Sequence, residues 1–151
     1  MKNYLKNDLF EGITGKNEYL ILFDDNNIDT TNTVLIAIHD PDSKIHTKDK
    51  IQGFDDILQI QFWDIEEGIG KYTPITKEQG LEIKDFIQKN KNKKFFIHCE
   101  AGQSRSAGVG CTVECLVNFN GNAYEYLTGN SEVKKHTRYS PNYVVFDAII
   151  K

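Results

Sequence analysis

The stretch Phe95-Phe96-Ile97-His98-Cys99-Glu100-Ala101-Gly102-Gln103-Ser104-Arg105-Ser106 decides how this chain is read. Its apolar start predicts a short buried strand. The run that follows predicts a tight loop opening into a helix. Cysteine and arginine stand in the spacing C-x5-R, inside His-Cys-x-x-Gly-x-Ser-Arg-Ser. A loop that turns into a helix N-terminus aims successive backbone N–H groups inward and forms a nest for an anion. Glu100, Ala101, Gly102, Gln103, Ser104 and Arg105 are the expected phosphate-binding positions of that nest. Gly102 suits a backbone with positive φ or a close approach to a ligand. Arg105, in the first helical turn, can grip two oxygens with its planar fork, which a lysine cannot do. The same positive field favours a thiolate at Cys99. Ser106 can donate to that sulfur, and His98 is expected to orient the loop by hydrogen bonding. An inert buried thiol at a strand end would leave the Arg-Ser spacing without a purpose.

Working outward, the remaining pattern is that of an α/β fold. Apolar runs at Tyr19–Phe23, Val34–His39, Ile57–Trp63 and Phe95–His98 read as strands, the first two apolar enough to be covered on both faces. Thr76 to Asn90 reads as an amphipathic helix, with Thr76 as N-cap, Gln79 three places later, and Leu81, Ile83, Phe86 and Ile87 as the buried face. Ser106 to Phe119 is the expected central helix, closed by Asn120-Gly121. Asn122–Leu127 and Pro141–Ile150 read as shorter helices, and Asp40–Asp56 as a long polar surface loop. The expectation is one domain over residues 1–151, with a central, mostly parallel sheet of about four to five strands flanked by helices.

Composition narrows the function. The net charge of −4 and pI near 5.5 disfavour a nucleic-acid partner. Three cysteines suit a reducing, cytoplasmic setting better than a disulfide framework. The stretch Met1–Asp8 lacks the apolar run of a signal peptide, and no later stretch reads as a membrane span. Of the 18 basic residues only Arg105 and Arg138 are arginines, a lysine bias expected of an AT-rich bacterial or phage genome.

The loop resembles the signature of the cysteine-dependent tyrosine and dual-specificity phosphatases. The likeness extends from roughly Val34 to Ile150. The resemblance implies a dual-specificity-phosphatase-like fold and a general-acid aspartate on a loop between a strand and a helix before the cysteine. Phe62-Trp63-Asp64-Ile65 occupies that place and offers Asp64. It also implies that Ser140-Pro141-Asn142 matches a Pro-Asn element whose asparagine, Asn142, braces the phosphate loop. Longer tyrosine-phosphatase domains place a proline between the tryptophan and the acid. Here Trp63 and Asp64 are adjacent, which together with the short chain favours the compact dual-specificity type.

The implied activity is hydrolysis of a phosphorylated protein or peptide, at phosphotyrosine and also at phosphoserine or phosphothreonine if the pocket is shallow. Cys99, Arg105, Asp64 and Ser106 would be catalytic, with His98 and Asn142 in support and no cofactor. An acid is needed because an alkoxide or phenolate leaves poorly unless protonated. Glu66 and Glu67, on the same loop, are the rivals to Asp64. Trp63 reads equally as a loop anchor or a substrate contact, and Cys111 and Cys115 as packing residues on one helix face. His39, His46 and His136 lack the short spacing of a metal motif, so no metal is assigned. The alternatives are a phosphotyrosine-binding module without turnover, and other C-x5-R enzymes: a lipid phosphatase, an arsenate reductase or a rhodanese-type protein. Arsenate reduction would need a second redox cysteine near Cys99, rhodanese loops need neither Ser106 nor an upstream acid, and Glu100 would repel a polyanionic headgroup. Oligomeric state is not legible.

Overall fold

The computed structural model describes residues 3–151. Its centre is a sheet of four parallel strands, β1 (Phe10–Gly15), β2 (Thr33–His39), β3 (Asp56–Gln61) and β4 (Lys94–Cys99), in the order β1-β4-β2-β3. The helices are α1 (Lys16–Asp24), α2 (Lys77–Lys89), α3 (Arg105–Asn118), α4 (Ala123–Thr128), α5 (Glu132–Lys135) and α6 (Tyr143–Ile150). Among the described residues no helix is long and apolar enough to cross a membrane.

Strand alternation divides the core between two faces. Val34, Ile36 and Ile38 of β2 join Phe95, Ile97 and Cys99 of β4 in the larger cluster, under α2, α3 and α6. Leu35 and Ala37 of β2 meet Phe96 of β4 and Tyr19 of α1 on the opposite face. Successive side chains of a strand point to opposite sides, so a strand covered on both faces is apolar at every position.

Tyr19–Phe23 is a correction. It lies in α1, and the first strand is Phe10–Gly15, which the sequence pattern did not reveal. A five-residue apolar run is equally compatible with strand or helix, and only its flanks decide. Here Glu18 accepts from the Gly15 N–H at 3.2 Å and opens the helix. β1 escapes pattern reading because Glu11, Gly12 and Gly15 interrupt it. Glu11 is nevertheless buried, its carboxylate paired with Lys6 at 2.6 Å. Gly12 is required because a Cβ there would sit 2.7 Å from the Phe96 ring.

α2 has the expected capping box: Thr76 accepts from the Gln79 N–H at 3.1 Å, and the Gln79 side chain accepts from the Thr76 N–H at 3.0 Å. Ile83, Phe86 and Ile87 face the core, but Leu81 is 56% exposed. At 100° per residue, Leu81 points away from the Ile83–Ile87 stripe. The residue that shares the stripe is Gly80, packed so closely on α6 that a Cβ would fall 2.1 Å from the Ala148 carbonyl oxygen. The final helix starts at Tyr143 rather than Pro141, with Asn142 as its N-cap. The 40–56 segment is less superficial than its polarity suggests. It contains a 3-10 turn at Lys48–Lys50 and buries His46 and Phe54.

Because all strands are parallel, their C-terminal ends share one sheet edge. Cys99 lies beside Gly15, and His39 beside Gln61. In open α/β sheets this edge is where ligands bind.

Candidate active site

The chain leaves β4 at Cys99 and enters α3 at Arg105, and the five residues between form a closed loop. Outside donors hold its carbonyls: Lys16 N–H reaches Glu100 O at 3.1 Å, Ser140 N–H reaches Gln103 O at 2.8 Å, and Asn142 N–H reaches Ser104 O at 3.1 Å. With those carbonyls turned outward, the amides are left to converge on the concave side. Gly102 has φ +75°, and a Cβ there would fall 2.2 Å from the Gly15 nitrogen, so glycine is required on both counts. Behind the loop, Arg138 makes a two-pronged ion pair with Glu18 that ties α1 to this end of the fold.

The side chains meet at the sulfur. Gly102 N–H donates to Cys99 Sγ at 3.2 Å, and Ser106 Oγ also lies 3.2 Å from Sγ. Arg105 is only 4% exposed. Its Nη1 donates to the Phe62 carbonyl at 2.6 Å and pairs with Asp40 at 2.8 Å. Its Nε is buried without a partner among the described residues. The guanidinium is thus anchored through Nη1, and the Nε–Nη2 edge remains to grip an anion side-on.

Asp64 sits on the loop after β3. Its Oδ1 accepts from Ser104 Oγ at 2.9 Å and from Asn142 Nδ2 at 3.0 Å. Asn142 also accepts from Val144 N–H at 2.9 Å, so one side chain caps α6, braces the loop and holds Asp64. Glu66 and Glu67 are exposed on the same segment. Trp63 packs edge-on against Tyr72, with ring centroids 4.8 Å apart, as a loop anchor. Glu100 turns sideways, accepting from Asp40 N–H at 3.3 Å and lying 3.7 Å from Lys16 Nζ, while Ala101 and Gln103 are exposed at the rim. Cys111 and Cys115 are buried in the core face of α3. Burial pushes the Cys111 thiol up to about 12, which makes it a packing group.

Sequence reading missed Asp40, the carboxylate partner of Arg105. The signal was its position directly after β2, on the same sheet edge as Cys99 and Asp64. Spacing also failed to show that three histidines come together. His39 and His98, on adjacent strands, and His46, on the loop above them, bring ring nitrogens within 4.8 Å of one another. His136 lies apart, packed on Tyr139. The His98 ring lies along Tyr19 at 4.9 Å, its Nδ1 3.3 Å from the Cys99 carbonyl, a positioning contact for the loop.

Burial, with mutual repulsion and Lys16 nearby, holds these imidazoles neutral. His98 is held well below the usual histidine value, His39 is lowered, and His46 falls to about 4. For a base depressed on folding, the unfolded chain binds more protons between the two values. The stability is therefore complete above about 6.5 and is lost as pH falls toward 4. His46 alone is expected to cost about 2 kcal/mol by about pH 5 and on the order of 3 by about pH 4. Denaturant unfolding of wild type and His46→Gln at about pH 7 and pH 5 checks this. Equal pH slopes in the two proteins would remove His46 as the cause.

Comparison with solved structures shows which fold carries this site. The structure of DUSP15 superposes with a TM-score of 0.63 at 20% identity, covering 99% of this chain and 86% of that one. PTPMT1 in complex with PI(5)P gives 0.59 at 17% identity, with 99% and 93% covered. The Yvh1 phosphatase domain from Chaetomium thermophilum gives 0.59 at 16% identity, with 97% and 92% covered. No family model matches the sequence, and no curated protein matches it. The chain has the α/β fold of the dual-specificity-type phosphatases, with a four-stranded parallel sheet flanked by helices.

Proposed function

We propose that this protein is a cysteine phosphatase that hydrolyses phosphotyrosine in proteins or peptides, and phosphoserine or phosphothreonine where the cleft admits them. The observation that carries this reading is the convergence of Cys99 Sγ, the unengaged edge of Arg105 and the Asp64 carboxylate around one loop. Cys99 attacks phosphorus in line, while the loop amides and Arg105 hold the equatorial oxygens. Asp64, held through Oδ1, delivers a proton from Oδ2 to the departing oxygen. Ser106 donates to the sulfur and eases its departure when water hydrolyses the cysteinyl phosphate. Asp40 and the Phe62 carbonyl are positioning groups for Arg105, and Asn142 is one for Asp64.

The phosphoinositide bound to PTPMT1 raises a lipid headgroup as a second substrate class on this fold. Glu100 argues against it, because a carboxylate at the loop repels a polyanion. The test is turnover of phosphotyrosine and phosphothreonine peptides beside a soluble phosphoinositide, with chelator present. The expected order is phosphotyrosine fastest and the phosphoinositide slowest. Phosphotyrosine binding without release of phosphate would make the protein a binding module instead.

A further inference from the structure

We propose that His39, His46 and His98 form a binding site for one divalent transition-metal ion, with zinc the best fit, on the side of the sheet beneath the phosphate loop. Gln59 sets the tautomer of His39. Its Oε1 accepts from the His46 backbone N–H at 2.8 Å, and its Nε2 donates to the His46 carbonyl at 3.1 Å. Those two bonds leave only one orientation for the amide. His39 Nε2 lies 2.9 Å from that same Oε1, so Nε2 must carry the proton. His39 Nδ1 is then a bare lone pair, and it is buried with no partner among the described residues. A second lone pair is set in the same way. His98 Nδ1 lies 3.3 Å from the Cys99 carbonyl and can only donate to it, which leaves Nε2 as the basic nitrogen.

Metal-ligating histidines ordinarily donate their second ring N–H to a carbonyl or carboxylate, which sets the tautomer and aims the lone pair. His39 and His98 are both arranged this way before any ion binds. The third ligand, His46 Nε2, is 2.8 Å from His98 Nε2 and donates to it when no ion is bound. A shift of its proton to Nδ1 turns that lone pair inward and keeps all three rings neutral. Tetrahedral bonds of about 2.0–2.1 Å place ligand nitrogens roughly 3.3 Å apart. The cluster, with one pair at 2.8 Å and one ring nitrogen of each histidine within 4.8 Å of the others, brackets that spacing. An all-imidazole set suits zinc, copper or nickel rather than magnesium or calcium. Three protein ligands leave a fourth position open. Two ligands come from strands and one from the 40–56 segment, so the ion would clamp that segment to the sheet. It would also act on the phosphate loop through His98 and the Cys99 carbonyl.

The test uses the Cys99→Ser protein, which removes the competing sulfur, and cobalt(II) and zinc(II) as probes. One equivalent of cobalt should bind, with visible absorption typical of a tetrahedral nitrogen-rich site. One equivalent of zinc should raise the unfolding temperature, and X-ray absorption at the zinc edge should show three imidazoles. His39→Gln and His46→Gln should each weaken uptake at least about tenfold. Should either variant fail to fold, the X-ray absorption spectrum of the Cys99→Ser protein still decides. Absence of uptake at excess metal, binding unchanged in the folded variants, or a ligand shell without three imidazoles would overturn the proposal and leave His39 Nδ1 to a buried water. None of these readouts depends on phosphatase activity, so the proposal and the functional reading fail separately.

Discussion

Cys99→Ser is expected to lower turnover of a phosphotyrosine peptide by at least about 10⁴-fold while the protein still binds phosphate. The two outcomes separate because the nest is built without the sulfur. Its carbonyls are held by Lys16, Ser140 and Asn142, and Arg105 is anchored by Phe62 and Asp40. A serine oxygen can still accept from the Gly102 N–H, so the loop should keep its shape. What disappears is the nucleophile, since an alcohol here has no adjacent base to activate it. Steady-state rates and calorimetric titration with phosphate on the same preparation are the measurement. A folded Cys99→Ser protein with more than about a hundredth of wild-type activity would falsify covalent catalysis by this residue.

Asp64→Asn is expected to cost on the order of 10²–10⁴-fold with a poor leaving group, and little with a good one. A nitrophenolate departs with its charge already delocalised, so an acid adds little. Phenyl phosphate or a phosphotyrosine peptide expels a far more basic oxygen, and there the proton matters. Asparagine keeps an oxygen to accept from Ser104 and Asn142, so the loss isolates the proton rather than the brace. Single-turnover burst kinetics over a series of phenols should therefore show a flat dependence on leaving-group basicity in wild type and a steep one in Asp64→Asn. A steep dependence in Glu66→Gln or Glu67→Gln, with Asp64→Asn flat, would move the acid to that neighbour. The structure motivates the choice of Asp64, whose Oδ1 bonds to Ser104 of the loop and to Asn142.

Much of the site was legible because it is local. From Phe95 to Ser106 the residues that must converge are contiguous, and a strand–loop–helix turn brings them together without help from the rest of the chain. The helices over Thr76–Asn90 and Ser106–Phe119 were legible for the same reason, since caps and periodicity act over a few residues. Where local signals were ambiguous the reading failed. Tyr19–Phe23 is apolar enough for either structure, and Glu11 and Gly12 hide β1 behind a buried ion pair and a ring contact.

By itself the sequence determined the strand–loop–helix that carries Cys99 and Arg105 and the α/β character of the fold. Tertiary structure alone decided that Asp40 holds Arg105, that Asn142 joins Asp64 to the loop, and that His39, His46 and His98 meet. Those partners come from separate segments, and no spacing rule links them. Their meeting is set by parallel register, which pairs Ala37 of β2 with His98 of β4 and with Gln59 of β3, and by the loop that folds His46 back over that row. Register is a property of the whole packed sheet, because a slip of one residue would send every one of these side chains to the other face.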